Sequence, residues 1–131
     1  MTSTTGNVDS DTNNDIINYD IVNSIISLSN NNEFTNTLIS GFYNDTETLL
    51  TDMEKALSRN NHELFLEYAH ALKGSAGSVG AQKLHDYCKI LLIPETDCSD
   101  YIPILQKLLS AFEYTKDALD NYIDSKRTNT R

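Results

Sequence analysis

The residues of this 131-residue chain best suited to chemistry lie between Tyr68 and Gly80, where His70 is followed by Lys73, Gly74, Ser75, Gly77 and Gly80. The apolar residues of the same stretch, Phe65, Ala69, Leu72, Ala76 and Val79, recur at alternating spacings of four and three, which predicts a helix with one buried stripe. With that stripe centred at 0° and about 100° per residue, His70 falls near 140°, Gly74 near 180°, Gly77 near 120° and Lys73 near 80°. The imidazole therefore points away from the core. Glycine costs about 1 kcal/mol relative to alanine inside a helix, so two glycines on the exposed flank imply a compensating use. They strip the surface beside the imidazole and open it to a closely fitting partner. Leu66, near 100° on the same projection, adds an apolar residue to that side and is a candidate for docking with Gly74 and Gly77.

An exposed neutral imidazole is a nucleophile at physiological pH. Lys73 stands one turn along at i+3, within reach of an anion on the ring, so His70 is suited to accept a phosphoryl group whose charge Lys73 offsets. The sequence holds no Walker loop, no cluster of metal-binding carboxylates and no second base, so the chain is not expected to activate ATP itself. No metal site and no cofactor of its own are expected. Ser75 projects near 280°, toward the bundle side, and reads as structural support.

The elements that must position His70 follow from periodicity. Residues 1–15 are almost entirely Thr, Ser, Asn, Asp and Gly and read as a disordered polar tail. Ile21, Val22, Ile25, Ile26 and Leu28 predict a short helix capped by Asp20. A long helix is expected from about Glu33 to Arg59, with Phe34, Leu38, Phe42, Leu49, Leu50, Met53 and Leu57 as its stripe. The His70 helix follows Asn60 and Asn61 and ends at Gly80. Ala81, Leu84, Cys88, Leu91 and Leu92 give a fourth helix, stopped by Pro94. A last one carries Leu105, Leu108, Phe112, Thr115, Leu119 and Tyr122, has Pro103 in its first turn and reaches about Ser125, leaving 127–131 as a frayed basic tail. These elements predict an all-α, antiparallel four-helix bundle over 16–126 with a short extra N-terminal helix.

With 19 acidic against 10 basic side chains the formal charge is -9, which argues against nucleic acid and against direct contact with an anionic membrane. Residues 70–92 are the exception, with Lys73, Lys83 and Lys89 against Asp86 alone. Cys88 and Cys98 form no CxxC pair, Cys88 falls on a core stripe, and a reduced intracellular setting is expected. No signal peptide and no membrane-spanning run is read. His62 reads as a helix-start residue and His85 as a neighbour of the core Leu84.

The string His70-Ala-Leu-Lys73-Gly74-Ser75, followed by Gly80, resembles the signature of histidine-containing phosphotransfer (HPt) domains. The resemblance extends over about residues 16–125, and the wider string AHALKGSAGSVGA looks most like the C-terminal HPt modules of bacterial hybrid sensor histidine kinases. It implies a phosphorelay intermediate and carrier, not an enzyme. The phosphoryl group would come from a receiver-domain aspartate and pass to the receiver aspartate of a response regulator. By the same likeness His70 is the phosphorylated residue, Lys73 the phosphate-proximal cation and Gly74 the close-docking contact. Gly80 and Gln82 are structural, and Mg²⁺ comes from the partner receiver. The partners implied are receiver domains of a hybrid histidine kinase and of a response regulator, met by a monomer in the cytoplasm. Two alternatives stand beside this: the dimerisation and phosphoacceptor fragment of a histidine kinase, and a helical adaptor that docks receivers without transfer. Against the first, Ala71 rather than an acidic residue follows His70 and no proline occurs before Pro94.

Overall fold

The computed structural model describes residues 16–28 and 31–129; the polar tail expected at 1–15 lies outside the described residues, as do 130 and 131. Among the described residues five α-helices follow one another: α1 (Tyr19–Ser27), α2 (Asn32–Ser58), α3 (His62–Val79), α4 (Gln82–Leu91) and α5 (Tyr101–Asn129), with one 3₁₀ turn at Cys98–Asp100 before α5. Among the described residues there is no strand. Helices α2 to α5 form an antiparallel bundle in which α3 lies between α2 and α4, and α5 closes the ring against α4 and α2. Helix α1 packs across α2 and α3.

The α3 stripe is buried as its spacing requires: Phe65, Ala69, Leu72 and Ala76 have no exposed surface and Val79 almost none. Leu105, Leu108, Phe112, Thr115 and Leu119 of α5 are also buried, but the stripe ends on Ile123 rather than Tyr122. Tyr122 stays half-buried and donates its hydroxyl proton to Asn23 Oδ1 at 2.7 Å, tying α5 to α1. In α2 the expected stripe is wrong at its N-terminal end. Phe34 and Leu38 are 42% and 36% exposed, and Thr35, Ile39, Phe42, Thr46, Leu50, Met53 and Ala56 are buried instead. The buried line passes through two threonines, which a search for apolar residues skips.

The starts of α1, α2 and α3 are set by asparagines. Asn18, not Asp20, caps α1 by accepting from Ile21 N at 3.2 Å; Asp20 sits in the first turn, where a carboxylate suits the helix dipole. Asn31 caps α2, and Asn61 caps α3 by accepting from Leu64 N at 3.1 Å. Helix α3 ends at Gly80, whose φ of 83° is left-handed and lets Ala81 N return to Ala76 O at 2.9 Å.

This turn is also where α1 is anchored: Asn18 N donates to Gly80 O at 2.8 Å, and Lys83 N to Ile16 O at 3.3 Å. The second bond satisfies one of the first amides of α4, which has no side-chain cap. Helix α5 begins with Pro103 in its first turn, where the missing N–H costs nothing. It continues to Asn129, past the expected end near Ser125, so Lys126 and Arg127 belong to the helix rather than to a frayed end. Arg127 reaches back to Asn36 of α2 and lies 3.4 Å from Asp124, while Tyr43 donates to Asp120 Oδ1 at 2.8 Å. No helix among the described residues is long and apolar enough to cross a membrane.

Candidate functional site

Burial of Phe65, Ala69, Leu72 and Ala76 fixes the rotation of α3, and that rotation turns His70 outward. His70 is exposed and takes part in no hydrogen bond or ion pair among the described residues. One turn on, Gly74 is exposed too, and a Cβ built there meets no atom within 4 Å. The imidazole thus stands beside bare helix backbone.

Lys73 is half-buried and takes part in no ion pair among the described residues. It lies on the α4 flank, close enough to act on Cys88. Burial pushes the Cys88 thiol up to about 12, and the Lys73 charge opposes that rise. An ammonium with no carboxylate partner, on the same flank as an unpaired imidazole, can offset charge placed on that ring.

Gly77 is not open in the way its projection suggests. A Cβ there would lie 3.2 Å from His85 Cδ2 and 3.7 Å from His85 Nε2, so the ring of an α4 residue already covers it. Helix rotation gives the direction in which Gly77 faces but not which neighbour stands there. Leu66 is half-buried against the core rather than free. Ser75 is half-buried, and its hydroxyl donates to Leu72 O at 3.3 Å. With Ser78 it lines a groove shared with Leu38, Gly41 and Asp45 of α2. Gly80 lies under α1 at the far end of α3, and Gln82 donates from Nε2 to Asp86 Oδ1 at 2.9 Å. His70, Lys73 and Gly74 are therefore one surface, while Gly80 and Gln82 belong to the α3–α4 turn.

His85 and Asp86 are the residues whose place in this surface the sequence reading missed. His85 Nδ1 lies 3.4 Å from Asp86 Oδ1, and its side chain is 25% exposed. The signal was available: two antiparallel helices joined at Gly80 and Ala81 put position 85 opposite 77. His62 stacks edge-on against Tyr101 at 5.5 Å between ring centroids, at the opposite end of the helix from this turn.

The family model described as "Hpt domain" matches residues 37–121, from the first turns of α2 well into α5. The chain belongs to the Hpt domain family. It is a phosphotransfer intermediate of two-component signalling, a phosphocarrier rather than a catalyst, and its partners are receiver domains of kinases and response regulators. Among solved structures it is similar to the histidine-containing phosphotransfer protein MtHPt2 from Medicago truncatula. The TM-score is 0.72 at 20% sequence identity, and the match covers 94% of this chain and 86% of that one. At such identity the likeness speaks for the helical bundle alone. No curated protein sequence matches the chain.

Proposed function

We propose that His70 is the phosphoryl acceptor of this Hpt domain and that it relays the group between two receiver aspartates. In the first exchange an imidazole nitrogen attacks the phosphorus of a receiver aspartyl phosphate. The N–P bond forms as the acyl P–O bond breaks, and the aspartate leaves as a carboxylate. The reverse exchange on a second receiver forms a new aspartyl phosphate and frees the imidazole. Receivers of a hybrid histidine kinase and of a response regulator are the proposed donor and acceptor. Mg²⁺ is held in the receiver pocket, and the domain works as a monomer in the cytoplasm.

One observation carries this reading: His70 is exposed and unpaired beside the open backbone of Gly74, so a receiver can bring its aspartate to the ring without displacing a side chain. Lys73 supplies the countercharge, and Gly74 is the point of closest approach. The test is incubation with a phosphorylated receiver and Mg²⁺, followed by a search for acid-labile, base-stable phosphate. Label is expected on the wild type and absent from His70→Gln; equal labelling of both would overturn the assignment. Lys73→Ala should keep its helical circular dichroism but slow transfer or shorten phosphohistidine lifetime by about tenfold, the size of one charge-assisted contact. Unchanged kinetics would remove Lys73 from the site.

A further inference from the structure

The α3–α4 interface is apolar at Ala76, Val79, Leu84 and Cys88, yet at Gly77 it holds a polar ring. His85 lies across α3 there because a side chain at position 77 would meet its Cδ2 at 3.2 Å. Asp86 Oδ1 faces its Nδ1 at 3.4 Å, and Gln82 Nε2 holds the same oxygen at 2.9 Å. The imidazole thus lies over the bare backbone of Gly77 on one side and beside a carboxylate on the other, while a quarter of the side chain remains exposed.

We infer that His85 is a receiver-contacting residue that helps to determine which receivers this domain serves. The inference rests on His70 being the phosphoryl acceptor. Gly77 follows His70 by two helical turns and lies within about 20° of it around the axis, so the His85 ring sits in line with His70 on one flank. The separation along α3 is about 10.5 Å at 1.5 Å per residue, too far for His85 to touch a phosphoryl group on His70. It is not too far for the docked protein. A specific interface covers about 800 Å² per partner, a disc of about 16 Å radius, so a receiver centred on His70 covers His85 as well.

Because the ring is already held, contact with it costs little side-chain entropy, which suits a specificity contact. Lys89 follows His85 by one turn of α4 and Lys73 precedes Gly77 by one turn of α3, so the matching receiver surface is the one bordering an acidic phosphorylation pocket. His85 discriminates among receivers through residues beside that pocket, while His70 meets the pocket itself.

The experiment uses the full chain and a panel of purified receiver domains phosphorylated with acetyl phosphate and Mg²⁺. Affinities and single-turnover transfer rates are measured for the wild type, His85→Ala, His85→Gln and Asp86→Asn. His85→Ala should weaken the preferred receiver by about tenfold, or about 1.4 kcal/mol, and a poorly used receiver by less than about twofold. Asp86→Asn, which leaves the ring but loosens it, should shift the ratio in the same direction by less. The lifetime of isolated phosphohistidine should not change. A merely structural His85 would weaken all receivers alike; an unchanged ratio between receivers overturns the inference. His85→Gln provides the comparison if the alanine variant loses helix content. A parallel His70→Gln sample separates the two claims. Label on that variant defeats the acceptor assignment, whereas an unlabelled His70→Gln with an unchanged receiver ratio in the His85 variants defeats only the role of His85.

Discussion

Replacing Gly74 separates the stability of this domain from its docking. The residue lies in the interior of α3, exposed, and a Cβ there meets nothing within 4 Å. Alanine exceeds glycine by about 0.8–1.0 kcal/mol in a helix interior, so Gly74→Ala should stabilise the fold by about 1 kcal/mol. For a helical domain of roughly 110 residues the unfolding entropy near Tm is about 230 cal/mol/K, which converts that gain into about 4 °C. Gly41→Ala in α2, where a Cβ also meets nothing within 4 Å, should show a similar gain and serves as a control for stability. The receiver pays the cost instead: an added methyl in a close-packed contact costs about 1–3 kcal/mol, a loss of roughly 5- to 150-fold in affinity. Gly74→Gln should lose more. Scanning calorimetry measures the first effect and titration with a receiver domain the second. A lower Tm for Gly74→Ala would show that position 74 has a structural duty. Receiver affinity unchanged within about twofold for both Ala and Gln would refute close approach at Gly74.

The other glycine worth changing is Gly80, where a Cβ would combine a left-handed φ of 83° with 3.0 Å approaches to Asn18 O and Val22 Cγ2. Gly80→Ala should destabilise by about 2–4 kcal/mol and free α1; a fall in Tm of less than about 8 °C would refute this. Thr46 and Thr115 are fully buried, and neither hydroxyl has a hydrogen-bond partner among the described residues. Thr46→Val or Thr115→Val should therefore raise stability to urea by about 1 kcal/mol, and a loss would show that the hydroxyl is satisfied. Burial pushes the Cys88 thiol up to about 12, whereas Cys98 is exposed. At pH 8 only about one Cys88 in 10⁴ is thiolate, so a disulfide reagent should titrate one thiol in the native protein and the second only on unfolding.

Helix α3 was readable because its buried residues are all apolar and regularly spaced, which fixed both the helix and the direction of His70. Helix α2 was less so. Thr35 and Thr46 occupy buried positions that hydropathy leaves blank, so the stripe drifted onto Phe34 and Leu38 at the rim. The cap of α1 was misplaced for a similar reason: Asn18 and Asp20 are both good cap residues, and the choice depends on Asn18 N reaching Gly80 O, a contact made only after the chain folds back. Gly77 exposes the same limit at the site. Its projection beside His70 is right, but the surface above it is occupied by His85, which sequence rotation along one helix cannot supply.

The charge of the molecule bears on the site through its distribution rather than its sum. On the proposed docking to an acidic receiver pocket, a chain with net charge -9 faces long-range repulsion. Residues 70–92 depart from that total, with three lysines against Asp86, and Gln82 and His85 both face the Asp86 carboxylate oxygen. Of the acidic side chains of α2 and α5, Glu47, Glu54 and Glu113 line the groove between those two helices, while Asp45 lies in the groove with Ser75 and Ser78 of α3. At a Debye length of about 8 Å, charges across the width of the bundle are largely screened, whereas Lys73 stands one helical turn from His70. On the proposed docking, Lys73 beside His70 therefore weighs more in the encounter at physiological salt than the distant acidic groups do. The acidic remainder opposes it only when ionic strength is low.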